Sequence, residues 1–219
     1  MARKNHRVSA RDRRRQFLKV AGHLFARQGY QGTTTRQIAE RAHVNEALIF
    51  RHFRTKEALY WALLEDQCQP ADTQRLLRER LREGSDDREI FASIAEDILR
   101  RNTRDTTRSR LLLFSALENH RLAGRFFRTH IADYYNALAE HIARRVRQGR
   151  FRPVDPLLAA RGFLGMVVYH FLIQELFGGR RYQRFSLRKV SQTLSDIWLE
   201  GMVERKHCDT GTAATSNPR

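Results

Sequence analysis

Apolar residues recur at helical spacing along almost the entire chain. Phe17, Ala21 and Phe25 share one face of a first helix, which follows a basic arm over residues 1 to about 15 and ends at Gly29. The same spacing predicts further helices from Thr34, Asn45, Thr55 and Asp86, and over about 109–119, 123–148, 155–177 and 186–206. The pattern therefore predicts an all-α protein.

Several predicted helices begin at residues whose side chains accept hydrogen bonds from the first backbone N–H groups. Thr34 opens a capping box, and Asn45 caps the helix that follows. Asp86 starts a later helix, and Asp155 stands directly before Pro156, a pair typical of a helix N-terminus. These local signals predict where the helices begin.

Two of these helices lie between Thr33 and Phe53, and the segment between them is long enough only for a tight turn. The outward positions of the second carry no apolar side chain larger than a methyl group. Seven apolar residues can form a small shared core: Ile38, Ala39, Ala42, Val44, Leu48, Ile49 and Phe53. This arrangement is typical of a helix-turn-helix, whose second helix enters the major groove of duplex DNA.

The distribution of charge agrees with DNA binding. The chain has 219 residues and a net charge of +17, and residues 1–56 hold 14 Lys and Arg against 3 Asp and Glu. Such a basic surface binds phosphate through counterion release. Taken alone, the charge fits a solvated face or a membrane-surface patch as well. The length leaves room for a second, larger domain.

Other classes of protein find less support in the sequence. Cys68 and Cys208 fit no disulfide framework or metal site. A cytoplasmic location is therefore expected, and neither a metal nor a cofactor is expected. The apolar run 163–173 is shorter than the roughly 18 residues that a membrane span needs. The histidines form no catalytic cluster, so no enzyme is expected. A non-specific architectural DNA-binding protein is the alternative.

The residues from about Phe17 to Leu63 resemble the DNA-binding domain of the TetR family of bacterial transcriptional regulators. The resemblance rests on matching residues at the family's spacing: Phe25, Gly29, Tyr30, Thr33, Thr34, Ile38, Ala39, Ala42, Val44, Phe53, Lys56, Glu57 and Leu59. Three positions depart from the usual pattern. His43 replaces a turn glycine but tolerates positive φ. Asn45 replaces a capping Ser or Thr, and Phe50 replaces a tyrosine.

The resemblance implies a set of DNA-contacting residues. They are Thr34, Thr35, Arg36, Asn45, Glu46, Ala47, Phe50, Arg51, His52 and Lys56. Lys56 is expected to contact the DNA backbone, and Arg51 either a guanine or a phosphate. For Glu46, interaction with the helix dipole explains the residue equally well. Arg11 to Arg15 fit a minor-groove arm or a solvated charge run.

The resemblance also implies a homodimer and a small-molecule effector. The expected domains are a DNA-binding domain over 1–56, an effector-binding and dimerisation domain over 57–206, and a disordered tail over 207–219. The dimer is expected to form through about 155–178 and 186–206, where Gly162 and Gly165 permit close approach of a partner or serve internal packing. Ten residues are expected either to contact the effector or to belong to the ordinary hydrophobic core. They are Phe91, Ile94, Leu113, Phe114, Leu117, Tyr134, Tyr135, Met166, Tyr169 and His170.

Overall fold

The computed structural model of the chain describes residues 9–68, 70–82, 86–118 and 121–203. These residues form eleven α-helices: α1 (Ala10–Gln28), α2 (Thr35–Arg41), α3 (Glu46–His52), α4 (Lys56–Cys68), α5 (Pro70–Arg82), α6 (Asp87–Arg104), α7 (Thr107–Leu117), α8 (Arg121–Phe126), α9 (Ala132–Arg147), α10 (Pro156–Phe171) and α11 (Leu187–Glu200). An isolated antiparallel bridge joins Phe151 to Val203. The predicted all-α fold is confirmed.

Two stretches of wider π-helical hydrogen bonding interrupt the regular helices. Phe127–Ile131 joins α8 to α9 in one continuous helical segment, and Leu172–Leu176 extends α10. A short 3₁₀ turn, Gly179–Arg181, follows. The sequence predicted one long helix over about 123–148, and apolar spacing alone does not reveal a single π turn within it.

Helices α1 to α4 surround a first hydrophobic core. Five members of the predicted shared core are buried and two, Val44 and Leu48, are partly buried against it. Leu59 and Leu63 of α4 lie in the same core, so this packing continues past Lys56, where the sequence analysis ended the DNA-binding domain. Three residues of α7 and α8 complete it: Leu111, Leu122 and Phe126.

The remaining helices enclose a second core, to which α5, α6, α9, α10 and α11 all contribute. Its centre is aromatic: the ring of Phe91 lies 4.9 Å from that of Phe163 and 4.4 Å from that of Trp198. The backbone N–H of Arg152 donates to the Met202 carbonyl at 2.8 Å, which ties the segment before α10 to the end of α11.

Some predicted helix boundaries were wrong. Ser9 caps α1, so residues 10–15 are helical and do not belong to an arm. The predicted start of α6 at Asp86 is confirmed, since Asp86 occupies the cap position, but its side chain makes no capping hydrogen bond. The last helix ends at Glu200, before about 206, and is followed by Gly201. The predicted disordered tail over 207–219 lies outside the described residues.

One helical segment, Pro156–Leu176, has 21 residues and is apolar enough to cross a membrane by length and composition. The apolar run 163–173 was predicted to be too short for a membrane span, but the continuous helix is long enough. Ala160, Phe163 and Val167 of this helix are fully buried in the second core, although only 28% of its most apolar stretch is buried. A core helix meets the same criteria of length and composition as a membrane span.

Candidate nucleic-acid interface

Side-chain caps fix the N-termini of α2 and α3. The Thr34 hydroxyl accepts the Gln37 N–H at 3.1 Å, and the Gln37 side chain accepts the Thr34 N–H at 2.9 Å. The Asn45 side-chain oxygen accepts the Ala47 N–H at 2.8 Å. The predicted capping box and the predicted asparagine cap are both confirmed.

The turn between the two helices is held by its own backbone and by α1. His43 has a φ of 55°, the left-handed conformation that the sequence analysis expected it to tolerate. The Val44 N–H donates to the Ala39 carbonyl at 3.0 Å. From α1, the Gln16 amide donates to the Ala42 carbonyl at 3.2 Å. The first helix therefore fixes the position of the turn.

The ten residues predicted to contact DNA lie on or beside α2 and α3. Six are exposed: Thr34, Arg36, Asn45, Ala47, Phe50 and Arg51. Four are half-buried: Thr35, Glu46, His52 and Lys56. Phe50 is 43% exposed, so the outward face of α3 does carry an apolar side chain larger than a methyl group. It follows the buried Ile49 by one position, which on a helix turns it toward solvent.

Glu46 joins the N-termini of α2 and α3. The Thr35 hydroxyl donates to the Glu46 carboxylate at 2.5 Å. With its hydroxyl hydrogen directed to Glu46, Thr35 has that donor occupied within the protein. Arg36 makes an exposed ion pair with Glu40 at 3.1 Å, a type of contact that is weak and readily exchanged.

Lys56 and His52 are positioned by contacts with α1 and the turn after it. The Lys56 ammonium lies 4.2 Å from the centre of the Tyr30 ring. Burial lowers the pKa of Lys56, although the negative charge of Glu118 acts to raise it. The His52 ring meets Phe17 edge-on at 5.4 Å. Both side chains therefore stand at defined places at the end of α3 and the start of α4.

Helix α7 holds the DNA-binding domain against the second domain. Tyr60 of α4 donates its hydroxyl to the Leu111 carbonyl at 2.7 Å, and Arg110 donates to the Ala26 carbonyl of α1 at 2.5 Å. These partners are 51 and 84 residues apart in the chain. Sequence reasoning did not identify them, since no local pattern signals contacts at that separation.

Glu118 makes a further connection at the end of α7. Its carboxylate accepts the backbone N–H groups of Tyr30 and Gln31, each at 3.1 Å. Gly29, which ends α1, has φ 77° and ψ 177°, a conformation reserved for glycine. A Cβ at this position would overlap the Glu118 carboxylate. The glycine is thus required by backbone conformation and by the neighbouring acid.

The ten predicted effector contacts do not line one cavity. Phe91 and Ile94 are fully buried in the second core, and Tyr134, Tyr135 and Met166 pack against it. The other five lie elsewhere: Phe114 beside Gly29, Leu113, Leu117 and Tyr169 on the exterior, and His170 half-buried against Phe185. Leu117 is 82% exposed and Tyr169 is 65% exposed.

Burial changes the ionisation of two of these candidates. It raises the pKa of Tyr134 to about 12, although the charges of Arg101 and Arg80 act in the opposite direction. It lowers the pKa of His170. Tyr134 therefore offers a neutral hydroxyl beside Arg101 in the interior of the second domain.

A buried polar network was missed by the sequence analysis. His141 approaches Asp87 at 2.9 Å, Arg145 donates to the same carboxylate oxygen at 2.8 Å, and Arg144 lies 2.9 Å from the other His141 nitrogen. Since arginine only donates, that nitrogen accepts and the Asp87-facing nitrogen carries the hydrogen. A histidine within the apolar stripe of α9 was the available signal.

One face of α10 and α11 exposes apolar side chains. Leu158, Gly162, Gly165 and Tyr169 form an exposed stripe at helical spacing. A Cβ at Gly165 would meet no atom within 4 Å, so packing within the described chain does not require this glycine. Ile197 of α11 is 57% exposed beside a groove of about 560 Å³.

Comparison with known protein families gives two separate matches along the chain. Residues 17–63 match the family described as bacterial regulatory proteins, tetR family. Residues 89–197 match the family described as AefR-like transcriptional repressor, C-terminal domain. The first match covers α2, α3 and most of α1 and α4, and the second begins in α6 and ends within α11.

Similar proteins and structures agree with these matches. The HTH-type transcriptional repressor Rv1474c of Mycobacterium tuberculosis is 29% identical over 175 residues, 80% of this chain and 87% of that protein. The fold resembles FadR from Bacillus subtilis in complex with stearoyl-CoA, with a TM-score of 0.66 and 18% identity over 85% of this chain and 98% of that one. It also resembles AibR in complex with isovaleryl coenzyme A and operator DNA. The TM-score is 0.66, with 24% identity over 84% of this chain and 97% of that one.

Proposed function

The chain belongs to the TetR family of bacterial transcriptional regulators, and from that membership we propose that it is a dimeric repressor released from its operator by a small organic effector. Its relatives are transcriptional regulators, among them the Rv1474c repressor. A repressor acts where the chromosome lies, so we place it in the cytoplasm.

The exposed polar face of α3 is the observation that carries the proposal. Asn45, Ala47 and Arg51 lie on it, while on the opposite side Ile49 is buried in the first core. The major groove is wide enough to admit an α-helix, and the polar side chains of α3 can meet base edges there. Lys56 stands at the edge of this face, where a phosphate contact fits its point charge.

Dimerisation is supported by the exposed face of α10 and α11. A stripe of Leu158, Gly162, Gly165 and Tyr169 would bring the helix backbones of two copies close together. Because the same patch meets itself across a two-fold axis, one face suffices for a closed dimer. A dimer places two α3 helices against the two halves of a palindromic operator.

The effector site is proposed to lie among α5, α6 and α9, with Tyr134 and Arg101 as polar anchors. A cleft of about 330 Å³ includes Thr73, Leu76 and Arg101 in its lining. Arg101 donates to the Thr73 hydroxyl at 3.0 Å. Because FadR and AibR were solved with acyl-CoA molecules, thioesters of this kind are the first effectors to test.

The proposed mechanism of release is a pivot of α4. This helix belongs to the DNA-binding core and is also bonded to α7, so a shift in the second domain reaches α3 through it. The two α3 helices would then no longer match grooves ~34–36 Å apart. Structures with and without effector that keep the same separation of the α3 helices would refute the pivot.

Operator selection on genomic fragments tests the proposed function. The protein is expected to retain a few fragments that share a palindrome, and Arg51→Ala is expected to weaken or relax this selection. Retained fragments are then challenged with isovaleryl-CoA and stearoyl-CoA. Retention of all fragments alike would indicate the non-specific architectural protein instead.

A further inference from the structure

We propose a second ligand site, separate from the effector site, for a compact organic anion at the junction of α1, α4 and α8. A cleft of about 490 Å³ lies there, lined by residues that include Arg14, Arg54, Ala58, Trp61 and Arg125. Its volume is within the range of small-molecule sites. The cleft joins the two domains, because Arg125 belongs to α8 and the other lining residues belong to α1, the end of α3, α4 and the α3–α4 connection.

The charges of the cleft favour an anion. Within the described part of the chain, no carboxylate lies within 4.0 Å of the guanidinium groups of Arg14, Arg54 or Arg125. The two lining carboxylates already have partners. Glu57 pairs with Arg121 at 2.5 Å, and Glu65 accepts the indole N–H of Trp61 at 2.6 Å. Arg121 balances the charge of Glu57, so the three lining guanidinium groups face only the carboxylate charge of Glu65, which leaves an excess of positive charge in the cleft.

Aromatic rings hold two of these guanidinium groups in place. Arg14 lies 4.4 Å from the centre of the Phe53 ring, and Arg125 lies 3.7 Å from that of Trp61. A guanidinium stacked on a ring keeps its N–H donors at its edge, where they suit the two oxygens of a carboxylate. Ala58 adds an apolar wall. The combination fits a carboxylate or sulfonate on a small, planar apolar body.

An anion in this cleft would connect the two domains. Arg14 belongs to the first helix and Arg125 to the effector-binding domain, so one ligand held by both restrains their relative movement. A DNA phosphate offers the same chemistry to Arg14 and Arg54, and the experiment must therefore separate the two sources of negative charge.

Calorimetric titration of the full-length protein with 1-naphthoate, without DNA, tests the site. Binding is expected, and the neutral analogue 1-naphthalenemethanol is expected not to bind. Arg125→Ala should weaken naphthoate binding by roughly tenfold or more, the loss of a charge-assisted contact. Arg128→Ala, which removes an exposed arginine from the same helical segment outside the cleft, serves as the matched control and should bind like the parent.

Two further measurements make the outcome decisive. Arg54→Ala changes an exposed side chain and should also weaken naphthoate binding. This second variant tests the proposal even if Arg125→Ala fails to fold. The salt dependence of operator binding by Arg125→Ala should match the parent. Equal affinity for the neutral analogue, absence of naphthoate binding, or a salt slope reduced by about one ion in Arg125→Ala would each overturn the proposal.

Discussion

Replacing Gly29 by alanine tests how α1 is joined to the second domain. The glycine backbone lies at φ 77° and ψ 177°, where a side chain costs about 2 kcal/mol. The new Cβ would also displace the Glu118 carboxylate from the N–H groups of Tyr30 and Gln31. Each partly exposed hydrogen bond contributes about 1 kcal/mol, so Gly29→Ala should destabilise the protein by about 4 kcal/mol in all.

The overlap with Glu118 makes a double-mutant cycle informative. Glu118→Ala alone loses the two hydrogen bonds, about 2 kcal/mol. In that background Gly29→Ala adds only the backbone strain of about 2 kcal/mol, so the double variant should lose about 4 kcal/mol, against about 6 kcal/mol for independent effects. Urea denaturation of the four proteins, followed by circular dichroism, measures the difference. Additivity within about 0.5 kcal/mol would refute the described contact.

Three other changes have defined outcomes. Lys56→Ala should weaken binding to all duplexes alike and reduce the salt slope by about one ion, as measured by fluorescence anisotropy; a loss confined to one sequence would contradict a phosphate contact. Ile197→Glu should give a monomer in analytical ultracentrifugation, and a persistent dimer would locate the interface elsewhere. For Asp87, burial opposes ionisation, but hydrogen bonds from His141 and Arg145 outweigh it and lower the pKa below 3.8. Ionised Asp87 therefore stabilises the folded protein above pH 3.8, and this stabilisation is lost as the pH falls through the pKa of the folded state. Acid-denaturation curves of Asp87→Asn should lack this pH-dependent loss of stability.

The sequence predicted those features that depend on neighbouring residues. The capping box of Thr34 and the cap at Asn45 follow from chemistry within a few positions, and both are found. The left-handed conformation of His43 was implied by the family resemblance, in which a turn glycine is usual at that position. The core of the helix-turn-helix was predicted for the same reason, because its apolar residues recur at helical spacing.

The sequence did not predict contacts between distant residues. Asp86 satisfied the pattern of a helix cap, but the acid with structural partners is the next residue, Asp87, whose bonds to His141 and Arg145 span 54 and 58 positions. Tertiary packing also placed Leu117 and Tyr169 on the exterior, although both fitted an apolar stripe. Periodicity identifies a helical face without identifying what covers it.

Selection from a pool of random duplexes tests the central claim most directly, because it asks whether the outward side of α3 distinguishes one base sequence from another. Sequencing of the retained duplexes should reveal an inverted repeat whose half-sites are centred about one helical turn, or a multiple of it, apart. Retained duplexes with no common sequence would contradict the account.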